Sequence, residues 1–105
     1  MSTIASATIT AQNTWTTPVK LIGNINISVA LASGSVGSLG GTTVTVQRST
    51  DNSTWRDVDR WTSTGEDVGY EPEALWYRAG VKTGEYANSV VLRIGREDGS
   101  IGYPP

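Results

Sequence analysis

A chain of 105 residues with a formal net charge of −2 and neither cysteine nor histidine has the length of one domain, and a domain of this size buries roughly 65% of the surface its unfolded form exposes. The two absences exclude a disulfide framework, thiolate or imidazole metal ligation, a Ser/His/Asp triad and a Cys/His dyad. The acidic balance offers no general attraction to nucleic acid, which is bound through clustered Lys and Arg at phosphates.

In chain order, residues 4–10 read as a short strand. Trp15, Thr17, Val19 and Leu21 give a second, weaker alternation, which Pro18 interrupts because proline cannot donate a ladder hydrogen bond, as at an edge or a strand start. Ile25, Ile27, Val29 and Leu31 alternate with Asn24, Asn26, Ser28 and Ala30, the pattern of a half-buried strand. "ASGSVGSLGG", residues 32–41, has Gly or Ser at seven of ten positions and reads as a long loop. Val44 and Val46 open a hairpin whose turn is "STDNST" and whose return passes Trp55 and Val58 toward Trp61; Asp and Asn side chains close such turns onto their own backbone.

In "STGEDVGYEPEA", Gly65, Gly69 and Pro72 argue against a continuous strand. From Leu75 the pattern resumes: Leu75, Tyr77, Ala79 and Val81 share one face, and Trp76, Arg78, Gly80 and Lys82 the other. Thr83-Gly84-Glu85 is a turn, and Val90, Leu92 and Ile94 align on a returning strand. No window carries the 3.6-residue helical period. The expected fold is an all-β, immunoglobulin-like antiparallel sandwich of about seven strands, with residues 1–17 as an N-terminal arm or edge strand, 18–97 as the domain and 98–105 as a tail. Its expected core is Ile25, Ile27, Val29, Leu31, Val44, Val46, Trp55, Leu75, Tyr77, Val81, Val90 and Leu92.

From Thr43 onward the order of features resembles fibronectin type III and related sandwiches, a likeness of architecture alone. A narrower resemblance is carried by "TVTVQRSTDNSTWRDV" (43–58), "EPEA" (71–74), "LWYRAGVKTGEY" (75–86) and "VVLRIG" (90–95), with "TTPVKLIGNINISV" a looser match upstream. Over about the last 60 residues the chain is similar to small virion structural proteins of tailed bacteriophages, of the head decoration or cement kind; the long 32–41 loop is a departure from them. The resemblance implies a non-enzymatic role on the virion, assembly in the host cytoplasm, contact with a major capsid protein or other virion protein, homo-oligomers on the particle, no cofactor and no catalytic residues.

The residues admit other uses. Glu66, Asp67, Glu71 and Glu73 form the one carboxylate group suited to acid/base work or calcium, set against a solvated loop paired with arginines. Trp15, Trp55, Trp61 and Trp76 suit a carbohydrate- or peptide-binding face as well as core and interface. Six arginines, at 48, 56, 60, 78, 93 and 96, against Lys20 and Lys82 fit interfaces or intrachain pairing. Lys20 is the only ionisable side chain before Arg48, so the expectation is one contact-making half and one solvated half, because an uncharged surface is cheap to desolvate. Trp15, Val36, Leu39, Trp76 and Arg78 are the expected partner contacts, and residues 1–17 and 32–41 are expected to be ordered by that partner. No metal site, no nucleic-acid contact and no membrane span are expected, since no apolar run approaches the ~18 residues a spanning helix needs. No secretory leader is read at the start.

Overall fold

The computed structural model describes residues 3–96. Glu97 and the 98–105 tail lie outside the described residues. Seven strands follow one another: β1 (Thr3–Ile9), β2 (Thr14–Trp15), β3 (Val19–Leu31), β4 (Val44–Ser49), β5 (Arg56–Trp61), β6 (Gly65–Val81) and β7 (Val90–Arg96). All pairings are antiparallel, in the order β1-β7-β3-β6-β4-β5, with β2 on β6. The fold is the all-β, seven-stranded antiparallel architecture read from the sequence, and it is sandwich-like in an economical way. One hydrogen-bonded sheet folds over on itself, and β6 belongs to both layers.

The fold-over is made in β6, which runs through the segment in which a continuous strand was not expected. Its first part, from Gly65 to Glu71, pairs with β3, and its last part, from Trp76 to Gly80, pairs with β4. Between them the register slips: Leu21 faces Leu75, but Gly23 faces Glu71, so β6 carries extra residues against β3. Pro72 falls within that irregularity, where its missing N–H costs no ladder bond. Proline and glycine here mark a bend within a strand, a distinction invisible to local composition.

The first layer is β1, β7, β3 from Gly23 onward and the first part of β6; the second is the last part of β6 with β4, β5 and the start of β3, residues 19–21, which pair with residues 75–77. Ala5, Ile9, Val29, Val90, Leu92 and Ile94 face Leu21, Val44, Val46, Leu75, Tyr77, Ala79 and Val81 across one core. Two layers about 10 Å apart accord with the shortest molecular extent of 17 Å. Ile25, Ile27 and Leu31, expected inside, are only half-buried against this core; Ile25 and Ile27 border an opening between the layers, beyond the stretch of β6 that pairs with β4. Trp55 is a fuller correction: it is half-exposed and outside the core cluster.

Two segments expected to be loose are built in. β1 pairs with β7 residue by residue from Thr3 opposite Arg96 to Ile9 opposite Val90, and Ile9 is fully buried. The 32–41 loop carries no named strand but is pinned: Leu39 donates its N–H to Thr62 O, Thr64 N donates to Gly37 O, and Asn88 Nδ2 donates to Leu39 O. The Leu39 side chain is fully buried, whereas Val36 is 92% exposed. Leu39 is therefore core and not a partner contact. Leu39→Ala is expected to cost about 3 kcal/mol in urea unfolding; a loss under about 1 kcal/mol would show that the loop adds nothing to the core.

Candidate interaction surface

Register decides which side chains meet on the outward face of the second layer. Gln47 lies opposite both Arg78 and Asp57, Thr45 lies opposite Gly80, and Trp15 lies opposite Gly80 from the other side. These cross-strand rows are the natural contact unit of a sheet. Gly80 is required there, since an added Cβ would meet the Trp15 ring at 2.7 Å and Thr14 O closer still. The indole covers the glycine, and the next outward residue along β6, Arg78, comes to rest between two rings.

The Arg78 guanidinium sits 4.3 Å from the Trp15 ring centroid and 4.4 Å from that of Trp55. Its Nε donates to Gln47 Oε1 at 2.8 Å, and Gln47 Nε2 donates to Asp57 Oδ1 at 2.8 Å. Lys82 Nζ closes the row on the other oxygen of Asp57. Burial lowers the Arg78 pKa from its ordinary value, and the bonds from Lys82 and Gln47 hold Asp57 below its own. Beside this row, Lys20 Nζ lies 5.8 Å from the Trp76 ring centroid. Three expected contact residues, Trp15, Trp76 and Arg78, thus share one face, with Gln47 and Asp57 as partners that the sequence reading did not single out. Val36 and Leu39 belong elsewhere.

The stack is a clamp joining β2, β6 and the β4–β5 turn. Each of the Trp15 and Trp55 rings has a face covered by Arg78, so the two do not form the flat open platform on which a sugar ring stacks. Trp61 packs against the core. Trp55→Ala is expected to cost about 1–2 kcal/mol, the scale of a partly desolvated cation–π contact. A loss of about 3–5 kcal/mol would return the ring to the core.

The expected carboxylate group is strung along β6. Glu66, Asp67 and Glu73 are exposed, while Glu71 is 2% exposed at the bend of the strand. Tyr77 Oη donates to Glu71 Oε1 at 2.5 Å, Arg48 Nη1 donates to the same oxygen at 3.0 Å, and the Glu73 N–H donates to Oε2 at 3.2 Å. Burial alone would raise the Glu71 pKa, but the three hydrogen bonds outweigh it and leave the carboxyl below its ordinary value. For Tyr77, burial and then the bond to Glu71 push the phenol up to about 12. This is a satisfied structural triad. Among the described residues, no three His, Cys, Asp or Glu side chains stand together as a metal site would require.

The charge asymmetry is sorted by layers, not by halves of the chain, because the sheet interleaves strands from both halves. Outward positions of the first layer are Ile4, Ser6 and Thr8 on β1, Val91 and Arg93 on β7, Asn24, Asn26, Ser28 and Ala30 on β3, and Glu66, Val68 and Tyr70 on β6. Arg93 and Glu66 are the two charged groups of that set, and Asn26 bridges them: Arg93 Nη1 donates to Asn26 Oδ1, and Asn26 Nδ2 donates to Glu66 Oε2. The second layer carries the ion pairs of Arg60 with Glu85 and Lys82 with Asp57.

Comparison of the chain with protein-family models, with curated proteins and with solved structures finds no match.

Proposed function

We propose that this protein is a non-enzymatic structural component that attaches to a larger protein assembly, and that the assembly is the particle of a tailed bacteriophage. The observation that carries the first part is the outward face of the first layer, a sheet surface of Ile4, Ser6, Thr8, Asn24, Ser28, Ala30 and Val91 in which the two charged side chains are already bridged through Asn26. Such a face can be covered by another protein without stranding an unpaired ion. The second part rests on the resemblance of residues 43–95 to virion proteins, and within that setting the role is capsid decoration, bridging major capsid subunits. A neck or tail position is the alternative.

Imaging of labelled copies on intact particles tests the reading. Many copies spread over the shell support decoration, a few at one vertex reassign the protein to neck or tail, and no copies on particles refute it. The carbohydrate-module alternative is tested by tryptophan fluorescence against a broad glycan panel, for which a flat response is expected.

A further inference from the structure

Between the layers, on the side where β5 and β6 diverge, the sandwich is open. A cavity of about 190 Å³ lies there, with Ile25, Ile27, Val46, Tyr77 and Ile94 at its base. It is smaller than the ~300 Å³ at which small-molecule sites begin, and it suits one or two side chains. Val58 is 46% exposed at its mouth, and Val68 and Tyr70, whose positions take the outward face of the first layer, border its rim at 75% and 72% exposed.

The walls are two strand edges left unpaired among the described residues. Among those residues β5 pairs with β4 alone, and from Gly65 to Tyr70 β6 pairs with β3 alone, since β4 joins β6 only from Trp76 onward. The 32–41 loop bonds to Thr62 and Thr64 and bridges Ser38 to Ser63, just short of this stretch. Beyond it the edge of β6 has no strand partner among the described residues, and the Val68 N–H there is held by the Asp67 carboxylate, a bond that an added strand would replace.

Two carboxylates set the chemistry of the opening. Asp59 lies opposite Val46 and Asp67 opposite Ile27, so both sit on core-facing positions of their strands, and both line the cavity. Each accepts one hydrogen bond from the backbone N–H of the next residue, and neither has an ion-pair partner among the described residues. Three of the chain's own cations are paired elsewhere: Arg48 with Glu71, Arg60 with Glu85 and Lys82 with Asp57. A lysine or arginine brought by another molecule complements this pair of carboxylates.

Resting on the assembly reading above, we propose that this groove receives an extended segment of a partner protein, hydrogen-bonded to this edge of β6, with an apolar side chain over Ile25 and Ile27 and a lysine or arginine between Asp59 and Asp67. Main-chain pairing supplies affinity and the alternate side chains supply selectivity, as in strand addition generally.

The test uses the full chain and two acetylated heptapeptides, one alternating valine with lysine and one alternating valine with glutamate, followed by backbone amide shifts in nuclear magnetic resonance. The lysine peptide is expected to shift Val58 and residues 65–70 saturably, the glutamate peptide to leave them unmoved, and the double variant Asp59→Asn with Asp67→Asn to bind the lysine peptide at least tenfold more weakly. Shifts that map to β1 or to the Trp15 and Trp55 face, no saturable shift at millimolar peptide, or an unchanged affinity of the double variant would overturn the proposal. So would self-association of the double variant on sedimentation, which would assign the two carboxylates to keeping the edges apart. The particle assay separates the two readings. A double variant that loses the peptide but decorates particles fully removes the groove from attachment and leaves the assembly reading standing; wild-type protein that binds the peptide but no particle does the reverse.

Discussion

Removal of residues 1–11 is expected to unfold the domain, not merely to free it from a partner. β1 contributes Ala5 and the fully buried Ile9 to the core and pairs with β7 along its whole length. Truncating one buried isoleucine to alanine costs about 2–5 kcal/mol, and the deletion also exposes Val90, Leu92 and the edge of β7. A loss of about 5 kcal/mol or more is comparable with the whole stability of a small domain. Far-ultraviolet circular dichroism and a thermal melt decide the matter. A truncated protein that still melts cooperatively near the full-length temperature would show that β1 is an appendage after all.

The second large effect is expected from Glu71→Ala, at about 2–4 kcal/mol. The substitution removes the acceptor of the Tyr77 hydroxyl, and Tyr77 is itself buried, so a donor is stranded without solvent. Arg48 softens the loss, since it is 44% exposed and regains water. Acidity should reproduce part of the effect. Because the folded-state pKa of Glu71 lies below its ordinary 4.5, its contribution is fully present above that value and is lost as pH falls through the folded one. Asp51, which accepts the N–H groups of Thr54 and Ser53 and the Ser49 hydroxyl, is lowered from 3.8 to about 2 and acts in the same direction over that interval. Tyr77 has the opposite sign: its pKa is raised from 10.0 to about 12, so its contribution holds below 10 and fades as pH rises between the two. Urea midpoints against pH test this, with Glu71→Gln expected to flatten the acid limb. An unchanged acid limb in that variant would remove Glu71 as its cause.

Local alternation was enough to read most of the strands. Val29, Val44, Val46, Leu75, Tyr77, Val81, Val90 and Leu92 all reach the core, because a period of two places them on one side of whichever strand they occupy. The turn at 49–54 was equally legible, since Asp51 acts on residues two and three places away. Helix was excluded by the same reasoning, and catalysis that needs histidine or cysteine was excluded by composition.

What alternation cannot supply is the identity of the neighbour. Trp55 and Arg78 are far apart in the chain, and whether the indole enters the core or lies on a guanidinium depends on how β4 registers against β6. Glu71 looked like any loop carboxylate until the bend of β6 brought it to Arg48 and Tyr77. Pro72 and Gly69 signalled a break in pairing, and it took the paired β3 to show that the break was a bend inside one strand. The charge-poor first half of the chain was plain from composition, but its meaning was set by interleaving, which spreads that half over both layers and gathers the uncharged side chains on one outward face. Residue type and period determine which side of a strand a side chain takes; only the pairing of distant strands decides what stands opposite it, and in this protein the clamp, the buried triad and the open groove are all products of that pairing.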